Sequence, residues 1–374
     1  MSFDFHFDNV VLFTGIGWLL TALIQLFYYL FFYIRIAKKP EINPNHLPPT
    51  SVIICARNEE ENLKKHLPSI LNQNYPQYEV IVVNDASEDD SVWVLEGLAK
   101  QYPHLKVSTI KKDEKFNHNK KLAVTIGIKA ATYEHLLFTD ADCETISPEW
   151  IRQMMQTYKP QTEIVLGYGG YTKTKGFLNK LIRFDSLFIA MQYFGFAKAG
   201  IPYMGVGRNL SYKKSLFFKN KGFANHASLQ SGDDDLFVNE TATKQNTEIN
   251  TSAHTRSEAK KSFSLWILQK KRHQSTFKRY KKSHQFLLSL EPISRVLFYL
   301  LIPALLIIDL KTYPIVVAVF IVRLIILVLT YYFSTKTLKE QDLLLLSPLF
   351  DIVYLFIDLI IKLSRNPHQQ NKWK

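Results

Sequence analysis

Apolar residues are distributed along this chain in two different ways. From Val10 to Ile34 they run for 25 positions without a formal charge, more than the roughly 20 residues that span a bilayer. Asp4 and Asp8 precede the run, whereas a cleaved signal peptide opens with a positive segment and a shorter apolar core, so a transmembrane anchor is expected. Arg35, Lys38 and Lys39 follow, then Pro40, Pro44, Pro48 and Pro49, which cannot continue a helix and mark a linker.

From Ser51 the pattern becomes one of short, β-branched runs separated by helix-like stretches. Strands are expected at Ser51–Ala56, Glu79–Asn84, Lys106–Ile110 and His135–Asp140. Strands alternating with helices predict an α/β domain whose mainly parallel sheet is covered on both faces. Ligands of such sheets lie beyond the carboxyl ends of the strands. Polar residues gather there: Arg57, Asn58 and Glu59 after the first strand, Asp85 after the second, Asp140 and Asp142 after the fourth.

Beyond Asp142 the pattern loosens. Apolar residues from Gly176 to Gly195 recur at mixed helical spacings, which suits an interfacial amphipathic helix and a core-facing helix equally well. Three further apolar stretches, Val296–Ile308, Tyr313–Phe333 and Leu343–Leu363, read as membrane segments, the last interrupted by Pro348, Asp351 and Asp358. The expected division is an N-terminal transmembrane helix over 1–36, a linker over 37–50, a catalytic domain over 51–285 and a membrane region of two or three helices over 286–374.

Charge alters this picture at one place. The net charge of the 374 residues is +13, and ten Lys or Arg stand between Arg256 and Lys282 against the single acid Glu258. A basic block just before membrane segments points to lipid headgroups, and no nucleic-acid reading motif accompanies it. The two cysteines, Cys55 and Cys143, lie beside the strand-end motifs in a domain expected to face the cytosol, so no disulfide is expected.

Two acidic groups carry the chemistry. Asp140 and Asp142, one residue apart at a strand end, can reach Mg²⁺ or Mn²⁺, which would also bind diphosphate oxygens. Asp233, Asp234 and Asp235 are consecutive, and their mutual repulsion raises at least one pKa toward the range of a general base. The bland alternative is that they charge the start of a helix.

In order along the chain, SVIICARNEEENL, VIVVNDASEDDS, NKKLAVTIGIKAA, FTDADCE, GVGRNLSY, SGDDDL and QKKRH resemble the inverting, membrane-associated family 2 glycosyltransferases of the GT-A fold, over about Ser51 to Tyr280. The resemblance implies a GT-A nucleotide-sugar-binding domain and a donor site using Ala56, Asn58, Glu59, Asp85, Lys120, Asp140 and Arg272. Asn84 stands where many relatives have a second Asp. It implies Asp234 as the base, with Asp233 second because the register within three identical residues is open. Gly207, Arg208 and Asn209 resemble an acceptor-side segment, and Gln269 to His273 resembles QxxRW, with His273 in place of the Trp on which an acceptor sugar stacks.

The implied function is transfer of a sugar from a UDP- or GDP-linked donor to a lipid-linked or glycan acceptor, in a bacterial inner membrane with the catalytic domain facing the cytoplasm. The smaller ring of His273 and the few membrane segments favour short products. A processive polysaccharide synthase and a non-catalytic nucleotide-sugar-binding membrane protein are the alternatives. Arg365, Lys372 and Lys374 favour a cytoplasmic tail, which requires one C-terminal segment not to cross, and Leu343–Leu363 is the expected one.

Overall fold

The computed structural model describes residues 2–38, 40–112, 119–229 and 231–363. The chain forms two units, one of residues 1–37 with 281–364 and one built around residues 38–280. The tail with Arg365, Lys372 and Lys374 lies outside the described residues.

The second unit holds a sheet of eight strands among the described residues: β1 Thr50–Ala56, β2 Tyr78–Asp85, β3 Leu105–Ile110, β4 His135–Asp140, β5 Cys143–Thr145, β6 Ile164–Tyr171, β7 Leu210–Lys213 and β8 Thr247–Ser257. The order is β3-β2-β1-β4-β7-β6-β8-β5. β1, β2, β3 and β4 pair in parallel, and the apolar runs of β1, β2 and β4 are continuous because both faces are covered, whereas the edge strand β3 is largely exposed. Beyond β4 the expected parallel pattern gives way to a mixed sheet: β7 is antiparallel to β4 and β6, β8 is parallel to β6, and β5 is antiparallel to β8. Strand order reverses direction around β1 and β4, so the crevice opens beside their carboxyl ends.

The helix Lys120–Ala130 lies across β1 and β2 at a distance set by Gly127, where a Cβ would come within 2.7 Å of the Ile53 side chain. Asn119 caps it, its side chain accepting the Leu122 N–H at 2.9 Å. The segment containing Gly176–Gly195 forms the helix Phe177–Lys198, which packs on β6 and β8 with Leu181, Ile182, Phe184, Leu187, Phe188 and Phe194 buried. Of its two readings, the core-facing one describes this packing.

The other unit contains four helices long and apolar enough to cross a membrane among the described residues: Asn9–Ala37, Lys282–Ile308, Leu310–Leu338 and Gln341–Ile361. Trp18 stacks on Phe298 and donates its indole N–H to the Phe298 carbonyl at 3.2 Å. Between the helices lies a buried polar network. Arg323 pairs with Asp351 at 2.9 Å, Arg295 with Asp351 at 3.4 Å and with Glu291 at 3.1 Å. Tyr299 donates to Asp351 at 2.7 Å, and Arg323 to Gln25 at 3.0 Å. Asp351 is thus buried within protein, and its charge no longer argues that the last segment stays out of the bilayer.

Candidate active site

Two strand ends form one half of the crevice. Ala56 closes β1 and Asp85 closes β2, both fully buried. Asn58 and Ala86 each take a positive φ, 52° and 50°, a conformation costly for residues with a Cβ. Hydrogen bonds between the loops hold it: the Asn58 carbonyl side-chain oxygen accepts from the Glu88 N–H at 2.8 Å, and the Asn58 N–H donates to Ser87 Oγ at 3.0 Å. The Glu59 N–H donates to Ser91 Oγ at 3.1 Å. Arg57 stands 4.0 Å from Asp85. The structure therefore brings Ala56, Asn58, Glu59 and Asp85 to one rim.

The other half is acidic. Lys120, at the first turn of its helix, lies 2.7 Å from Asp140 and 3.5 Å from Asp233, and these carboxylates outweigh desolvation to raise its pKa. Asp142 accepts from the Cys143 thiol at 3.5 Å. Asp140, Asp233, Asp234, Lys120 and Gly207 line one pocket, whose apolar floor is Ile53, Val124, Phe138, Leu210 and Tyr212. Among the described residues no group of three or more His, Cys, Asp or Glu side chains is placed to hold a metal ion. A hard cation here would draw on the two strand-end carboxylates and complete its shell with phosphate oxygens and water, a set that suits Mg²⁺ or Mn²⁺.

Three identical residues have three different surroundings. Asp235 is buried and accepts from Thr276 Oγ1 at 2.5 Å and from the Tyr280 hydroxyl at 2.7 Å, which ties it into the fold. Asp233 faces Lys120. Asp234 accepts the Gly207 N–H at 2.6 Å and the Asp235 N–H at 2.7 Å. Burial, then repulsion from Asp233 and Asp235, pushes its carboxyl up to about 7 despite Lys120. A Cβ on residue 207 would come within 3.2 Å of Asp234, so glycine permits this approach.

The segment expected to face an acceptor divides. Gly207 meets Asp234. Arg208 lies over the Tyr171 ring at 4.3 Å and donates to Ser257 at 3.2 Å. Asn209 is fully buried, accepts the Trp150 indole N–H at 3.0 Å, and donates to the Tyr168 and Ala253 carbonyls at 3.0 and 2.8 Å. With its amide committed inside, it shapes the rim from behind. Gln269, Arg272 and His273 belong to the helix Phe263–Gln274. Gln269 donates to the Tyr171 hydroxyl at 3.3 Å, and Arg272 is exposed. His273 is exposed, and partial desolvation, then the neighbouring Arg272 and Lys270, lower its pKa.

Sequence reasoning missed Thr276 and Tyr280, which lie in the basic block and carried no motif signal, and Tyr171, whose ring and hydroxyl support Arg208 and Gln269.

Residues 51–218 match the family model described as "Glycosyl transferase family 2". An uncharacterized glycosyltransferase of Haemophilus influenzae is 31% identical over 124 residues, which is 33% of this chain and 36% of that protein. The poly-beta-1,6-N-acetyl-D-glucosamine synthase of Staphylococcus aureus is 30% identical over 105 residues, 28% of this chain and 24% of that one. The matched segments thus span about a third and a quarter of those relatives. A mannosyltransferase from Pyrobaculum calidifontis, solved in complex with GDP-Man and Mn²⁺, shares the fold at a TM-score of 0.57 and 17% identity, covering 94% of this chain and 99% of that one.

Proposed function

We propose that this chain, whose residues 51–218 match the family 2 glycosyltransferase model, is an inverting transferase that moves a sugar from a nucleotide-sugar donor to a membrane-held acceptor. The observation that carries the reading is the position of Asp234, a carboxyl raised to about 7 and held by the Gly207 N–H in the pocket that also contains Asp140.

In this mechanism the strand-end loops at Ala56, Asn58, Glu59 and Asp85 take the base and ribose of the donor. Its diphosphate then lies toward Asp140, Asp142 and Lys120, with Arg272 at the rim. Mg²⁺ or Mn²⁺ held by Asp140 and Asp142 would supply positive charge to the departing diphosphate. Lys120 adds a second cation there, and its ion pairs with Asp140 and Asp233 restrain those carboxylates. Asp234 takes the proton from the attacking acceptor hydroxyl, the new glycosidic bond forms with inversion, and the nucleoside diphosphate leaves with the bonding electrons. GDP-Man in the Pyrobaculum neighbour and the polysaccharide named for the staphylococcal relative make UDP- and GDP-sugars the donor classes to test.

Four apolar helices, with Arg35 and Lys38 after the first, support a location in a bacterial inner membrane with the catalytic unit on the cytoplasmic side. His273 in place of a stacking Trp supports a short product. One observation favours the processive reading, namely the 30% identity to a polymer synthase. Purified full-length protein, labelled UDP- and GDP-sugars, Mn²⁺ and a membrane extract decide both questions. Release of nucleoside diphosphate, lost with EDTA and in Asp142→Ala, is expected, together with a discrete lipid-soluble product. Release unaffected by both treatments would sink the metal assignment, and a polymer of many sugars would establish the processive reading.

A further inference from the structure

β6 and β8 run side by side, paired through Tyr171 and Ser257, and the Thr172 N–H still donates to the Ser257 carbonyl at 2.9 Å as the strands end. The two loops that leave this edge have the same design. One reads Thr172-Lys173-Thr174-Lys175-Gly176-Phe177 and the other Glu258-Ala259-Lys260-Lys261-Ser262-Phe263, each opening a helix with its phenylalanine. The phenylalanines face outward, Phe177 57% and Phe263 40% exposed, with Leu265 50% exposed beside the second. Lys173, Lys175 and Lys261 are exposed around them. The one acid in the two loops, Glu258, is paired with Lys65 at 2.5 Å, which leaves the patch positive.

Exposed aromatic and aliphatic side chains ringed by lysines match the chemistry of a bilayer surface carrying anionic headgroups, apolar groups entering the acyl boundary while ammonium groups stay at phosphate level. The chain carries four helices able to cross a membrane, so such a surface is at hand. The loops also leave the carboxyl edge of their strands, the edge of the sheet that carries the acidic pocket. We propose that these paired loops dock on an anionic lipid surface, seating Phe177, Phe263 and Leu265 in the interface. Docking is independent of transfer chemistry and extends the functional reading to how the catalytic unit meets lipid.

The test uses the full chain in nanodiscs, with Phe177→Cys or Phe263→Cys carrying an environment-sensitive fluorophore and brominated lipids as quenchers. Cys55 and Cys143 are buried, and unlabelled parent protein sets their background. Lys129→Cys, on the exposed far end of the helix that starts at Lys120, is the reference. Quenching at both phenylalanine positions should exceed that at Lys129 several-fold in phosphatidylglycerol discs. It should fall in phosphatidylcholine discs and in the triple variant Lys173→Glu, Lys175→Glu, Lys261→Glu. Quenching no greater than at Lys129, or equal in the two lipids and unaffected by the triple variant, overturns the proposal. Asp142→Ala should keep the quenching while losing transfer, so failure of docking and failure of the catalytic reading are read separately.

Discussion

Asp234 combines a raised proton affinity with fixed geometry, so its protonation should show in the rate. A base must be ionised to act, and burial with two acidic neighbours brings its carboxyl to about 7. The rate kcat/KM should therefore fall tenfold per pH unit below about 7 and level off above it. Asp234→Asn keeps the N–H contacts on one side but cannot take the proton. Transfer should drop by roughly 10² to 10⁴ while donor affinity stays near that of the parent. The stability sign is opposite to that of an ordinary salt-bridged acid. The folded protein holds this proton above the unfolded carboxyl's range, so its contribution is lost as pH rises toward 7. Asp234→Asn should accordingly melt no lower than the parent at pH 8. A flat pH profile with unchanged transfer would remove Asp234 from the mechanism. The sequence could show three acids but not their division of labour, because Thr276 and Tyr280, which claim Asp235, lie 41 and 45 positions away.

At the scale of elements, the parallel half of the sheet was readable because β1, β2 and β4 are uninterrupted runs of apolar residues buried on both faces. β8 was not. Its sequence, TEINTSAHTRS, is polar, yet nearly every residue is buried. Its polar side chains find partners inside the protein, as when Asn250 donates to Thr157 Oγ1 and the Gln153 carbonyl, both at 2.7 Å, and hydrophobic periodicity cannot register such a strand. Asn209 is the sharpest case. In the sequence it belongs with Gly207 and Arg208 to a segment that resembles an acceptor-side one, and in the structure it links Trp150, Tyr168 and Ala253 through buried hydrogen bonds. Asn209→Ala leaves an indole donor and two carbonyls unsatisfied, an expected loss on the order of 2–4 kcal/mol. Differential scanning fluorimetry of the detergent-solubilised protein should show a lowered Tm, with acceptor KM little changed in the folded fraction. An unchanged Tm with a raised acceptor KM would return Asn209 to the acceptor site.

For the whole molecule, the decisive interior charges are those of the helical unit. Glu291 and Asp351 balance Arg295 and Arg323, two against two, and each ion pair joins partners buried to 2% exposure or less. Taking such charges out of water is costly, and a pair repays that cost only with good geometry and further hydrogen bonds. Here Tyr299 and Gln25 supply them. The network therefore adds less as net stability than as a constraint on which helices pack together, since a helix set in the wrong register would bury a lone charge. The expectation that Arg323 and Asp351 pair inside a bundle describes this arrangement, while Asp358's side chain lies outside the described residues. Removing one partner should be far worse than removing both. Asp351→Asn leaves one excess positive charge in the interior and should cost roughly 3–5 kcal/mol, whereas Arg323→Met with Asp351→Asn restores neutrality, with Arg295 still beside Glu291. Unfolding midpoints in mixed micelles of the two single variants and the double variant measure the difference. A double variant as unstable as the sum of its singles would mean the four charges act separately, and the packing constraint would have to lie in the apolar contacts around Trp18 and Phe298.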